Sequence, residues 1–344
     1  MKQISLCILL KKVLFYCIPI IILSSIYLII DPFKIIREYD DYYSKNTFIN
    51  INRDFVSTEM FLKNYKKYNL DSFIFGSSTS LCFSPVSWGK YIPTPNHTFS
   101  FDASGEQFIG IWSKIKFIKN HGSRIKNALI IFDTDISFAE FHNSGVIFMK
   151  HYKVYPTSKF KFHYESFLSF FKFRFLIAVF HYKTSNHFYP YMKAVLDERK
   201  HTFDLISNGL NLFSPINEIK NDSVNYYNER EKVFEQNRQP IESKAQINID
   251  HVKMLKEIKQ IFKEDSTNYR IIISPLYNQV SFNNKDLEIL KTIFGEEFVF
   301  DFSGVNEITS DKSNYYDITH FKRYVGEKLL NIVYSSQPRN NQNL

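Results

Sequence analysis

The chain has 344 residues, enough to bury a substantial core as one large domain, with or without an insertion. Apolar residues make up 44% and charged residues 23%, ordinary globular usage that argues against disorder, while 35 Phe and 22 Tyr lift the aromatic share to 17%. The net charge is +8, but the basic residues are spread along the chain rather than massed in a stripe, so no nucleic-acid partner is expected; an anionic membrane face or an acidic glycan suits the charge better.

Val13–Ile30, VLFYCIPIIILSSIYLII, runs for 18 residues without a charge and is preceded by Lys2, Lys11 and Lys12. That length spans a bilayer. A cleavable signal peptide has a shorter apolar core and a small-residue cleavage site, whereas Tyr27-Leu28-Ile29-Ile30 leads here into Asp31-Pro32. An uncleaved anchor is therefore expected over 13–30, with residues 1–12 cytoplasmic and everything after Asp31 extracytoplasmic, periplasmic in a diderm bacterium. Residues 31–51, polar and rich in tyrosine, read as a juxtamembrane connector.

Beyond it, apolar runs of strand length alternate with helical periodicity. Strands are expected at Asp71–Gly76, Thr98–Phe101, Asn127–Phe132, Arg270–Ser274 and Phe298–Phe302. Phe108, Ile111, Trp112, Ile115 and Ile118 mark a helix with Lys114, Lys116 and Lys119 on its other faces; Val252–Phe262, Leu287–Phe294 and Tyr324–Val333 mark three more. The alternation predicts an α/β fold with a mainly parallel sheet covered by helices on both faces. The rhythm breaks between about residues 142 and 249. Within that insertion, Ser166–Tyr182 is nearly apolar enough to span, but Lys172 and Arg174 each cost roughly 2.5–3.5 kcal/mol at a span's centre. A buried helix of a cap subdomain is expected there, with a helix lying on the membrane as the alternative. Residues 337–344 form a polar tail expected to be disordered.

Cys7 and Cys17 lie in or just before the anchor and leave Cys82 without a partner, so no disulfide framework is available and Cys82 reads as a small apolar filler. No CxxC, HExxH or glycine-rich phosphate loop is present, so neither a metal nor a nucleotide cofactor is expected.

Two short stretches carry chemistry. FIFGSSTS, Phe73–Ser80, sets Ser77, Ser78, Thr79 and Ser80 behind Gly76 at the carboxyl end of the first strand, where open α/β sheets collect their ligands. A hydroxyl two residues past Gly76 lies near the start of the next helical segment, whose free N–H groups can stabilise an oxyanion. Serine needs a base to act as a nucleophile. DITH, Asp317–His320, offers one: an aspartate three positions before the histidine can accept from one ring nitrogen and leave the other facing a serine.

With Gly76-Ser77-Ser78 after the first strand, Asp317-x-x-His320 near the carboxyl end and an amino-terminal anchor, the chain resembles the SGNH/GDSL hydrolase superfamily. It is most similar to the membrane-anchored acyltransferase-like branch, which includes proteins of teichoic acid D-alanyl transfer and alginate O-acetylation. The resemblance covers the whole soluble part in order of elements and implies a flavodoxin-like three-layer sandwich over 52–336. It maps the nucleophile onto Ser78, the base onto His320 and its orienting carboxylate onto Asp317. The N–H of Gly105, in FDASGEQ, joins that of Ser78 in the oxyanion hole. The family's third block has an asparagine in GxND; here the strand runs into DTDIS, and an ionised Asp133 or Asp135 would repel an oxyanion rather than donate to it. The implied function is a serine O-acyltransferase or esterase acting on a cell-surface glycan or other acylated polymer, with a membrane-bound acyl-donating partner. The alternative is a non-catalytic assembly or glycan-binding factor of the same fold. The remaining histidines, His97, His142, His151 and His163 among them, are expected to be surface or satisfied core residues.

Overall fold

The computed structural model describes residues 2–44, 48–140, 144–197, 201–236 and 238–335. His142 and the tail at 337–344 lie outside the described residues.

Seven strands are present among the described residues: β1 (Ser72–Gly76), β2 (Thr98–Asp102), β3 (Asn127–Phe132), β4 (His201–Phe203), β5 (Leu210–Phe213), β6 (Asn268–Ile273) and β7 (Val299–Asp301). Five of them form one sheet in the order β2-β1-β3-β6-β7, with every pairing parallel. The chain steps from β1 to β2 on one side, then returns to place β3 on the other side of β1. The crevice outside the carboxyl ends of β1 and β3 is therefore where the winding reverses, the usual ligand position in such sheets.

The central strands are largely apolar because both faces are covered. Phe73 and Phe75 point into one core with Phe61, Ile115, Ile258 and Leu290, while Ile74 between them points into a second core with Trp88, Phe83, Val325 and Leu329. This is the period of two along a strand, read as a division of each strand's side chains between two helical layers. Helix Arg53–Asn64 starts where the Asn52 side chain accepts from the Phe55 amide, and helices Phe108–Asn120, Ile249–Asp265 and Asn284–Phe294 share its face of the sheet; helix Arg323–Ser335 covers the other.

Lys114 departs from the expected outward position. It is fully buried and meets Glu106 at 2.5 Å and Asp54 at 3.7 Å, with Lys150 from the insertion on the same two carboxylates. Periodicity assigns a face, but only the tertiary neighbours show that this lysine has buried partners.

The N-terminal helix Lys2–Ile30 contains one stretch, Ile8–Ile30, long and apolar enough to cross a membrane, although a signal sequence meets the same criteria. The connector after it folds back on the domain. Asp31 accepts from the amides of Ile35, Ile36 and Arg37 at 2.9–3.1 Å, and Phe33, Ile35 and Tyr42 are buried.

The insertion does not hold one buried helix at 166–182. It forms two, Lys159–Phe170 and Phe173–Ser185, with Lys172 in extended conformation between them. Phe162, Phe170 and Phe175 are buried, but Phe160, Phe173 and Phe180 are 77%, 78% and 71% exposed. Burial therefore holds for one face only. The rest of the insertion supplies the antiparallel hairpin β4–β5 and three short helices within 215–236.

Candidate functional site

β1 ends at Gly76, where a Cβ would come within 2.8 Å of the Ser80 Cβ and 3.0 Å of the Ile131 carbonyl oxygen, so only glycine lets the chain turn this close to β3. The next residues form a short 3₁₀ turn, Ser78–Cys82, capped by the Ser77 side chain, which accepts from the Thr79 amide. Ser78 is the first residue of that turn, and its N–H has no carbonyl partner within it.

The three residues predicted at opposite ends of the chain meet here. Ser78 Oγ lies 2.9 Å from His320 Nε2, and His320 Nδ1 lies 2.9 Å from each Asp317 carboxylate oxygen. Asp317 also accepts from the His320 amide at 2.9 Å, the Thr319 amide at 2.9 Å and the Thr319 hydroxyl at 2.8 Å. Burial alone would push the Asp317 carboxyl up, but the His320 charge and these hydrogen bonds outweigh it and hold the group well below the usual carboxylate range. An ionised Asp317 only accepts, so Nδ1 carries the proton of the neutral ring and Nε2 is left as the acceptor facing Ser78.

The loop bearing this pair is held from several sides. An isolated bridge joins Tyr315 to Phe321, and the Tyr316 amide donates to the His320 carbonyl at 2.8 Å. Tyr315 donates its hydroxyl to the Pro275 carbonyl just beyond β6 at 2.7 Å, while Tyr226 and Tyr227 of the insertion donate to the carbonyls of Tyr316 and Tyr315. Helix Arg323–Ser335 then packs on the serine turn: a Cβ on Gly326 would stand 2.6 Å from the Cys82 carbonyl oxygen. Cys82 itself is buried and donates to the Phe321 carbonyl, and burial pushes its thiol up, so it is a poor nucleophile.

Sequence reading missed a second network under the serine turn. The Ser77 and Thr79 hydroxyls donate to the carboxylate of Asp133 at the end of β3, Thr79 at 2.8 Å, tying the loops after β1 and β3 across the crevice. Burial pushes the Asp133 carboxyl up, opposed by these hydroxyls. Asp133 thus turns beneath Ser78 rather than toward the cavity, and Asp135 is exposed. No residue of DTDIS is among those lining the cavity. Gly105 sits in the turn after β2 with φ 57°, beside Ser104, which does line the cavity.

That cavity has a volume of about 610 Å³ and is open to Ser78 and His320. Its walls include the connector (Tyr43, Asn50, Ile51), the β4–β5 hairpin (Phe203, Phe213) and the start of the last helix (Arg323). Arg53 holds the hairpin down, its guanidinium 3.9 Å from the Phe203 ring while its Nε donates to Asp102 at 2.9 Å. The wall also contains a second histidine–carboxylate pair, His201 Nε2 to Asp197 Oδ2 at 3.1 Å, which no sequence motif marked. By contrast, His151 is a satisfied core residue, buried and 2.9 Å from Glu59. Among the described residues no group of three or more His, Cys, Asp or Glu side chains converges to hold a metal ion.

No protein-family model matches the chain, and no curated protein matches it either.

Proposed function

We propose that the protein is a membrane-anchored serine O-acyltransferase or esterase with a flavodoxin-like SGNH-type domain on the extracytoplasmic side. The observation that carries the reading is the continuous chain Ser78 Oγ–His320–Asp317, at 2.9 Å per link, at the carboxyl end of β1 and open to a cavity of about 610 Å³. Ligand cavities of a few hundred to a thousand Å³ are usual, and aromatic walls with a few polar groups suit a saccharide.

In the proposed reaction Ser78 Oγ attacks the ester carbonyl and its proton passes to His320 Nε2. Asp317 stabilises the imidazolium that forms. The tetrahedral oxyanion accepts from the Ser78 and Gly105 N–H groups. Collapse breaks the ester bond, and His320 returns the proton to the departing alcohol, leaving an acyl-serine. Water or a glycan hydroxyl then attacks that ester, gives its proton to His320, and takes the acyl group as Ser78 recovers its own. The acceptor decides esterase against transferase; the anchor and the resemblance favour transfer to a cell-surface polymer, fed by a membrane-bound acyl donor.

The missing third-block asparagine, for which no residue of DTDIS stands in at the cavity wall, favours a second reading, a glycan-binding assembly factor without turnover. A fluorophosphonate probe separates the two. Labelling of the wild type that is lost in Ser78→Ala supports the enzyme, and no labelling at any pH supports the assembly factor. Acetate release from a model ester without acceptor indicates hydrolysis; activity only with added saccharide indicates transfer.

A further inference from the structure

The insertion helices pack against the outer end of the N-terminal helix, below its last residue. Tyr27 lies 5.3 Å, ring to ring, from both Phe167 and Phe170, and Phe33 lies 5.1 Å from Phe175. Between helix Phe173–Ser185 and the N-terminal helix is a crevice of about 480 Å³ whose walls include Leu23, Ile26 and Ile30 on one side and Leu176, Val179 and Phe180 on the other. Leu23 precedes Ile30 by seven residues, about 10 Å along a helix. If the N-terminal helix spans the bilayer, anything in van der Waals reach of Leu23 lies at the depth of the acyl chains or their boundary.

The residues outside the crevice agree with that depth. Phe160 and Phe173 are exposed, with Lys159, Lys172 and Arg174 beside them in sequence, the pattern of a helix seated in the headgroup boundary. The crevice's acid, Asp31, is already taken by backbone amides, and its other charged residues are Lys34 and Lys183. Ile49 lines both this crevice and the cavity that holds Ser78 and His320.

We propose that the crevice receives the hydrocarbon chain of a lipid-borne substrate, whose polar head passes Ile49 to reach Ser78. The inference rests on the membrane-anchored serine reading above and specifies its substrate class: one reactant is an amphiphile delivered from the bilayer. Helix Phe173–Ser185 is the wall that selects for the chain, which gives the Phe-rich insertion a role.

The test uses the full chain in phosphatidylcholine vesicles and compares two fluorophosphonates, one short and soluble, one with a hexadecyl chain. Ser78 is expected to react with the hexadecyl probe at least about tenfold faster. Val179→Trp, which fills the crevice, removes that preference and leaves the rate with the short probe unchanged; Leu176→Trp serves if Val179→Trp does not fold. Equal rates in the wild type, or a preference that survives both substitutions, overturn the proposal. If Ser78 reacts with neither probe, the catalytic reading fails and the crevice is tested separately with a phosphatidylcholine carrying a diazirine in its acyl chain. Crosslinks at 170–183 and 23–30 then support a lipid site, and crosslinks confined to other faces of the N-terminal helix overturn it.

Discussion

Ser78 and His320, 242 positions apart in the chain, are joined at 2.9 Å between Oγ and Nε2. That contact makes the serine turn and the DITH loop one unit. Ser78→Ala should abolish fluorophosphonate labelling while leaving the thermal midpoint unchanged. Asp317→Asn should keep the fold but lower the labelling rate on the order of 10³–10⁴-fold, because an amide no longer fixes the tautomer or stabilises the imidazolium.

Asp133 should matter to the shape of the site rather than to its chemistry. Asp133→Ala leaves the buried hydroxyls of Ser77 and Thr79 without their acceptor, at a cost of about 1–3 kcal/mol for each unpaired group. Asp133→Asn keeps an acceptor and should retain labelling. Urea unfolding followed beside labelling rate distinguishes the two variants.

Gly326→Ala introduces a methyl 2.6 Å from the Cys82 carbonyl oxygen, so helix Arg323–Ser335 must move off the serine turn. The expected cost is about 1–3 kcal/mol, the usual range for overpacking. Labelling should fall with it, since the same helix follows directly on His320. A preserved labelling rate together with a lowered melting midpoint would show that the helix moves without carrying His320.

Lys114 and Lys150 together balance Glu106 and Asp54, and Lys114 and both carboxylates are buried. Lys114→Met strands that negative charge with only Lys150 against it, and about 3–5 kcal/mol of stability should be lost, read as a lower urea midpoint.

Glu106 also sets a pH dependence. Burial pushes Glu106 up, but Lys114 and Lys150 outweigh it and the folded-state pKa is lowered, as it is for Asp317. Their stabilisation is present above the unfolded-state value, about pH 4, and is lost as pH falls through the lower folded values. Asp133 has the opposite sign. Its pKa is raised in the fold, so its contribution declines as pH rises from about 4 through the raised value, and Asp133→Asn should gain on the wild type as pH increases. Urea midpoints across pH for the wild type, Glu106→Gln and Asp133→Asn check each sign.

Local signals explain what could be read from sequence. The central strands β1, β3 and β6 were legible because both faces are buried, which makes each a mostly apolar run, with breakers such as Gly76 and Pro275 at the ends. The Asp317–His320 pair was legible because its geometry is set within four residues. The Ser77–Asp133 bond was not, since its partners are 56 positions apart and nothing in either segment pairs one with the other. Lys114 was assigned to an outer face because periodicity does not register a buried cation whose partners come from Glu106 and Asp54. The helix break at Lys172 lies in a run of aromatics with no glycine or proline to announce it.

The connector does more than hold the domain at a distance. Tyr43, Asn50 and Ile51 line the cavity, and Ile49 bridges to Leu196 of the insertion. Cleavage between Ile51 and Arg53 would therefore part the domain from Tyr43, Asn50 and Ile51, one side of the cavity at Ser78. On the proposed membrane-anchored reading, shedding at that point would lower Ser78 labelling even with Ser78, His320 and Asp317 untouched.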